Sequence, residues 1–259
     1  MPDHASLHIL LPLAGAGYVA WLISILSGGG GALMLIPVLT WAVGPRAVAP
    51  VIAMVTLFDA PVRLRLFWRH VRWDVVRWYL PGAVAGALLG GYVFANTRAD
   101  WLKILAGLFL ISTVFQFSFG KRERSFTMRR WAFLPIGFIV SLVSGIIGEA
   151  GPVLNPFYLN YGVEKEAMIG TKSVCSIGMQ TTKLASYFAF GALLREFLIY
   201  GVVIGVAAAS ASWTGKWMLG RMQGRRFRQF VITLMVFTGG LMLWQERGTI
   251  VGWFGHVAR

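Results

Sequence analysis

The sequence has 259 residues, of which 57% are hydrophobic and 13% charged, and 24 Lys and Arg against 10 Asp and Glu give a formal charge of +14. So little charge and so much apolar content exclude an ordinary soluble domain. The basic residues fall in short segments between long apolar runs, so they read as membrane topology signals and no nucleic-acid partner is expected.

Residues MPDHASLH at the start hold no Lys or Arg ahead of the first apolar run and show no small-residue cleavage site, so a signal peptide is not expected. The stretch 10–41 is apolar but interrupted by Gly28, Gly29, Gly30 and Gly31. Each Gly costs up to about 1 kcal/mol relative to Ala in a helix, so helix should stop there. Three apolar runs follow at 48–67, 77–95 and 101–119. Each is close to the roughly 20 residues that cross a bilayer. After the polar segment 120–130 comes a second interrupted stretch, 131–161, and then runs at 167–190, 197–217 and 228–245. No segment is long enough to be a linker, so residues 1–259 read as one transmembrane domain.

The segment SILSGGGGALMLIP at 24–37 returns as SLVSGIIGEAGPVLNP at 141–156. Placing Pro37 on Pro156, Gly44 on Gly162 and Ala49 on Ala167 defines two repeats, about 8–119 and about 131–246. The fold class expected is an all-α polytopic membrane protein of two inverted repeats, each an interrupted, re-entrant helix pair plus three transmembrane helices. Inversion follows from Lys and Arg placement. Putting the segments around Arg69 to Arg77, Lys121 to Arg130 and Lys216 to Arg228 all on the cytoplasmic side makes 131–161 enter and turn back from inside. By the repeat, 10–41 does so from outside, which leaves both chain ends outside. An even number of crossings per half would move the segment 216–228 outside.

Irregular backbone at membrane depth must be buried in protein or line water, so the two breaks predict a central cavity. Helix restarts near Ala32 and Pro152 present amide N–H groups and a positive dipole end, which suit an anion. Gly82, Gly86, Gly90 and Gly91, and the Ala-rich segment 207–211, read instead as close-packing positions. Ionisable groups within spans are functional candidates. Lys172 and Lys183 stand 11 residues apart, close to three helical turns, with Ser176 and Gln180 on the same stripe. They line the expected cavity and attract an anionic substrate. Glu149 in the second break serves either as a proton carrier or as a structural counter-ion to Lys172. Asn155, Thr171 and Ser173 are neutral donors, and Gly29, Gly30, Gly31, Gly148 and Gly151 supply backbone. In the first half Met54 stands where Lys172 does, Asp59 can pair with Arg63 one turn on, and Arg65 falls opposite Lys183. Asp59, Arg63 and Arg65 therefore form a candidate gating or ion-pair set, with snorkelling to the interface as the alternative for both arginines. Cys175 is the single cysteine, and His4, His8, His70 and His256 lie in terminal or loop positions without ligand spacing. No metal, no cofactor and no enzymatic activity are expected.

The duplicated glycine break, the Pro after an apolar stretch (Pro37, Pro156), the following Gly and Ala and the Thr-Ser-like element resemble the TauE/SafE family of membrane transporters over nearly the whole chain. The first break maps to Gly28 to Gly31 with Pro37, the second to Gly145, Gly148, Gly151 and Pro156. The resemblance implies export of sulfite, sulfonates or related small anions across the bacterial cytoplasmic (inner) membrane. Two departures stand out. The second break reads GEAGP, and the Thr-Ser element is TKS at 171–173 but degenerate, AMVT, at 53–56. They put Glu149 and Lys172 close to the expected site. The expected function is secondary transport of a small sulfur-containing or carboxylate anion by alternating access, with a coupling proton or cation. A passive anion channel using the same Lys-lined cavity is the alternative. The sequence holds no signal for oligomeric state.

Overall fold

The computed structural model describes residues 7–27, 31–98, 101, 128–163 and 165–219. The runs expected at 101–119 and 228–245, the segment 120–127, Gly28 to Gly30 and both chain ends lie outside the described residues. Among the described residues regular structure is helical throughout: α1 Leu7–Ser27, α2 Gly31–Ala42, α3 Pro45–Phe67, α4 Trp73–Asn96, α5 Phe133–Ile147, α6 Asn155–Asn160, α7 Lys165–Ala189 and α8 Arg195–Leu219. Four of the described helical stretches, Pro45–His70, Trp73–Asn96, Arg130–Ile147 and Arg195–Met218, are long and apolar enough to cross a bilayer. The protein is multi-pass. α7 has the length of a span, with 25 residues, but polar side chains fill one of its faces.

Local sequence explains the punctuation. Pro45 opens α3, where its missing N–H costs nothing, after a Gly44 turn at φ 103°. α5 stops because Gly148 takes φ 110° while its amide bonds back to the Ser144 carbonyl at 2.8 Å. Beyond it the backbone restarts as a 3₁₀ turn, Gly151–Leu154, and the six-residue α6. The restart expected near Pro152 thus takes the form of a 3₁₀ turn and a short helix in the second half, whereas α2 in the first half has 12 residues. The prolines at 152 and 156 remove amide donors just where a continuous helix would need them.

Contacts fix the helix directions. α4 and α5 run parallel, with Gly82, Gly86 and Gly90 against the carbonyls of Leu134, Phe138 and Leu142 in turn. α1 and α8 also run parallel, Gly17 meeting Ile204 and Ile25 meeting Gly215. So do α3 and α8, through Met54 with Gly201 and Phe58 with Gly205, and α4 and α7, through Leu80 with Gly178 and Gly91 with Ser186. α3 and α7 run antiparallel: Gly170 near the start of α7 lies against the Phe67 carbonyl at the end of α3, while Ala49 and Tyr187 share a buried cluster at the other end. One large core cluster joins α1, α2, α3 and α8, and a second joins α4 to α7.

These directions gather Arg69, Arg72, Arg77, Arg129, Arg130 and Lys216 at one end of the bundle. Exposed Trp68, Trp73, Trp131 and Trp217 stand beside them, as interfacial aromatics do. The second interrupted stretch leaves that end as α5 and returns to it: Phe133 at the start of α5 packs edge-on against Tyr161, and the Tyr161 hydroxyl donates to Asp74 at 2.8 Å at the start of α4. Burial and then Asp74 push the Tyr161 phenol above its ordinary range, which keeps it a donor at neutral pH.

Candidate functional site

A cavity of about 70 Å³ lies where the two core clusters meet, lined by Trp21 and Ser24 of α1, Ala32 of α2, Thr56, Asp59 and Arg63 of α3, Glu149 and Gly151 of the second break, and Ile169, Lys172 and Ser173 of α7. α1, α3 and α7 contribute residues at three- or four-residue spacing, so one face of each looks inward. The void would hold a few waters or one compact ion. Asp59 lies eight residues before the end of α3, which puts the cavity roughly 12 Å in from the basic end of the bundle.

On the α3 side, Arg63 Nε pairs with Asp59 Oδ2 at 2.6 Å and donates to Ser212 Oγ of α8 at 3.1 Å. The Ser212 hydroxyl donates to the other Asp59 oxygen, and the Trp21 side chain reaches the same carboxylate. Arg63 does not snorkel, since its side chain is only 13% exposed. Asp59 and Ser212 hold one edge of the guanidinium, while its Nη2 is buried without a hydrogen-bond partner among the described residues. Thr56 Oγ1, seven residues earlier on the same face, is likewise buried and unpartnered. Several helical hydroxyls here, such as Thr40, Ser173 and Thr182, satisfy themselves on the carbonyl four residues back. Thr56 does not.

On the α7 side, Lys172 Nζ donates to the Gly151 carbonyl at 3.3 Å and to Asn155 Oδ1, and stands over the Tyr158 ring. Glu149 turns back on its own backbone, its Oε1 accepting the amides of Ala150 at 3.1 Å and of Gly151. The amides expected to attract an anion at the second break are therefore already occupied by a carboxylate of the chain. Lys183 reaches the break from its other side, donating to the Gly148 carbonyl at 2.7 Å and to Ser144 Oγ at 3.2 Å. It caps the end of α5 and does not line the cavity.

The structure thus brings Glu149, Gly151, Lys172 and Ser173 to the cavity with Asp59 and Arg63, and sets Asn155 directly behind Lys172. Thr171 faces away: its hydroxyl accepts from the Arg72 amide at 2.9 Å and donates to the Ala167 carbonyl at 2.6 Å. Arg65 is exposed, apart from the site. Gly148 packs behind the break against Ala49 and Ile52, and Gly31 sits tightly on the Ala20 carbonyl and Ser24 at the start of α2. Ser176 is half-buried, and Gln180 is wholly buried with both amide atoms unpartnered among the described residues. Gly29 and Gly30 lie outside the described residues. Sequence reasoning missed Trp21, Ser24, Thr56 and Ser212. Thr56 stood within the degenerate AMVT element and three residues ahead of Asp59, a spacing that puts it on the ionic face of α3.

A family model described as sulfite exporter TauE/SafE matches residues 13–242. The chain belongs to that family. As a TauE/SafE protein it is a membrane transport protein, and the match takes in both breaks and every residue lining the cavity. No curated protein and no solved structure matches the chain significantly. Among the described residues no group of His, Cys, Asp or Glu is placed to hold a metal ion.

Proposed function

We propose that the protein is a secondary transporter that carries a small sulfur-containing or carboxylate anion, sulfite or a sulfonate foremost, out across the bacterial cytoplasmic membrane. One observation carries this reading. Among the described residues a guanidinium nitrogen and a hydroxyl, both buried and unpartnered, line a cavity that Lys172 also lines, inside a chain of an exporter family. A buried donor left unsatisfied costs about 1–3 kcal/mol, so a site that keeps two of them open is built for a ligand that accepts hydrogen bonds. Arg63 would meet two oxygens of the anion through its fork, with Thr56, Ser24 and Lys172 completing the shell.

The whole chain acts as one domain of two inverted repeats. Support comes from the helix directions. Exchanging α1, α3 and α4 with α5, α7 and α8 turns the parallel α1 and α8 pair into the α5 and α4 pair, turns α3 with α8 into α7 with α4, and maps the antiparallel α3 and α7 pair onto itself. The basic end is cytoplasmic, and both chain ends lie outside. Transport proceeds by alternating access, the two hairpins moving against each other around the cavity. The passive-channel alternative is disfavoured by the small size of the cavity and its internal ion pair. Counterflow in proteoliposomes tests this: labelled sulfite should accumulate transiently against unlabelled internal sulfite, and linear equilibration without overshoot would favour a channel.

A further inference from the structure

The cavity-facing stripes of α1, α3 and α7 continue one turn toward the basic end of the bundle, and there they become apolar. Trp21 leads on to Ile25, Arg63 to Phe67 and Ser173 back to Ile169, each step four residues along one face. Ile25, Phe67 and Ile169 are buried and pack together, with Leu66 against them, in a cluster separate from the two large cores. Contacts on both sides fix its place. Ile169 also lines the cavity, while the exposed Lys216 of α8 stands over the Phe67 ring at 6.0 Å and Ile25 meets the neighbouring Gly215. A layer about one helical turn deep, roughly 5 Å, thus stands between the cavity and the basic end.

In the other direction α3 and α7 lead to a second small cluster, Ala49, Ala53, Phe94 and Tyr187, with Ile146 and Leu184 packed against it. The register that places Ala49 on Ala167 also places Leu66 on Leu184, so the two layers correspond under the exchange of halves proposed above. They are fastened differently. The Tyr187 hydroxyl donates to the Gly145 carbonyl, and its ring packs on Phe94 of α4 with centroids 5.1 Å apart. The side chains of Ile25, Phe67 and Ile169 cannot hydrogen-bond.

From this, and resting on the transporter reading above, we infer that Ile25, Phe67 and Ile169 form an apolar gate between the cavity and the basic end, cytoplasmic in the proposed topology, and that this gate parts to load substrate while the Tyr187 layer stays shut. An apolar layer offers an anion no replacement for its hydration water, and a constriction of this kind excludes ions by excluding water. Ile25 and Phe67 belong to helices of one core cluster and Ile169 to a helix of the other, so movement of the two clusters against each other opens the layer without breaking a side-chain hydrogen bond within it.

The test is side-specific labelling of a thiol in the cavity. Full-length Thr56→Cys in a Cys175→Ala background, with Ser24→Cys as a second reporter, is reacted with membrane-impermeant sulfonatoethyl methanethiosulfonate in inside-out and in right-side-out vesicles. Adding Phe67→Ala, or Ile169→Ala as the second gate variant, should speed labelling from the cytoplasmic face by at least about tenfold, the factor expected for removing one large buried apolar side chain. Labelling from the outer face should not change. An unchanged rate from the cytoplasmic face in folded gate variants, or a rise from the outer face, overturns the inference. Sulfite uptake by wild-type proteoliposomes is measured separately: with uptake present, those labelling results strike the gate and leave the transporter reading standing. Absence of uptake by folded wild type overturns the transporter reading, and the inference with it.

Discussion

Arg63 is held at Nε by Asp59 and Ser212 and is unpartnered at Nη2 among the described residues, and this division of one guanidinium is what brings α3 into the proposed binding site. Arg63→Gln should weaken apparent sulfite affinity by about 10- to 100-fold, since a hydrogen bond to a charged group is worth roughly 1.5–3 kcal/mol. Arg63→Lys should not restore it, because a lysine cannot serve Asp59 and an oxyanion with separate edges. Recovery of wild-type KM in Arg63→Lys would show that charge alone matters there. Gln180 gives a second test. Its amide is buried and unpartnered among the described residues, so Gln180→Met should raise the Tm of the purified protein by about one to a few degrees, and a lowered Tm would mean that the amide has a partner. Lys172, Glu149, Asp59 and Arg63 could be read from the sequence because ionisable groups are rare and costly in apolar runs. Thr56, Ser24 and Ser212 could not. Hydroxyls are common in membrane helices, and only the fold shows which of them lacks its usual backbone acceptor.

At the scale of elements, the breaks and the glycine seam do different work. Gly82, Gly86 and Gly90 let α4 lie against the backbone of α5, where a Cβ on Gly86 would meet the Phe138 carbonyl. Gly86→Val should cost about 1–3 kcal/mol by overpacking and lower the Tm, whereas Gly15→Ala, with open space around it among the described residues, should leave the Tm unchanged. Similar melting of both variants would place the seam elsewhere. The glycine spacing and the second interruption were readable, since glycine acts on the backbone and leaves its trace in the sequence itself. What filled the second break was not. Its prolines and its carboxylate combine into a 3₁₀ turn capped by Glu149, an outcome that depends on Lys172 and Lys183 arriving from α7.

For the whole molecule, charge placement and helix direction agree on one basic end, which the proposed topology makes cytoplasmic. Cysteine labelling in a Cys175-free background should find positions beside Arg69 and Arg130 reactive only from inside, and positions beside Arg46 and Arg195 only from outside. Mixed sidedness would break the inverted-repeat reading. The order of the apolar runs at 48–67, 77–95, 167–190 and 197–217 was legible from composition and period. How the halves interlock, with α1 on α8 and α5 on α4, was not, because it depends on contacts between residues far apart in the chain. The account as a whole stands on one cavity binding an anion between two re-entrant hairpins. Sulfite uptake into proteoliposomes by wild type and by Lys172→Ala tests it most directly. The account predicts robust uptake by wild type and loss to the protein-free background in a variant that inserts and folds normally, and near-normal uptake by Lys172→Ala would contradict it.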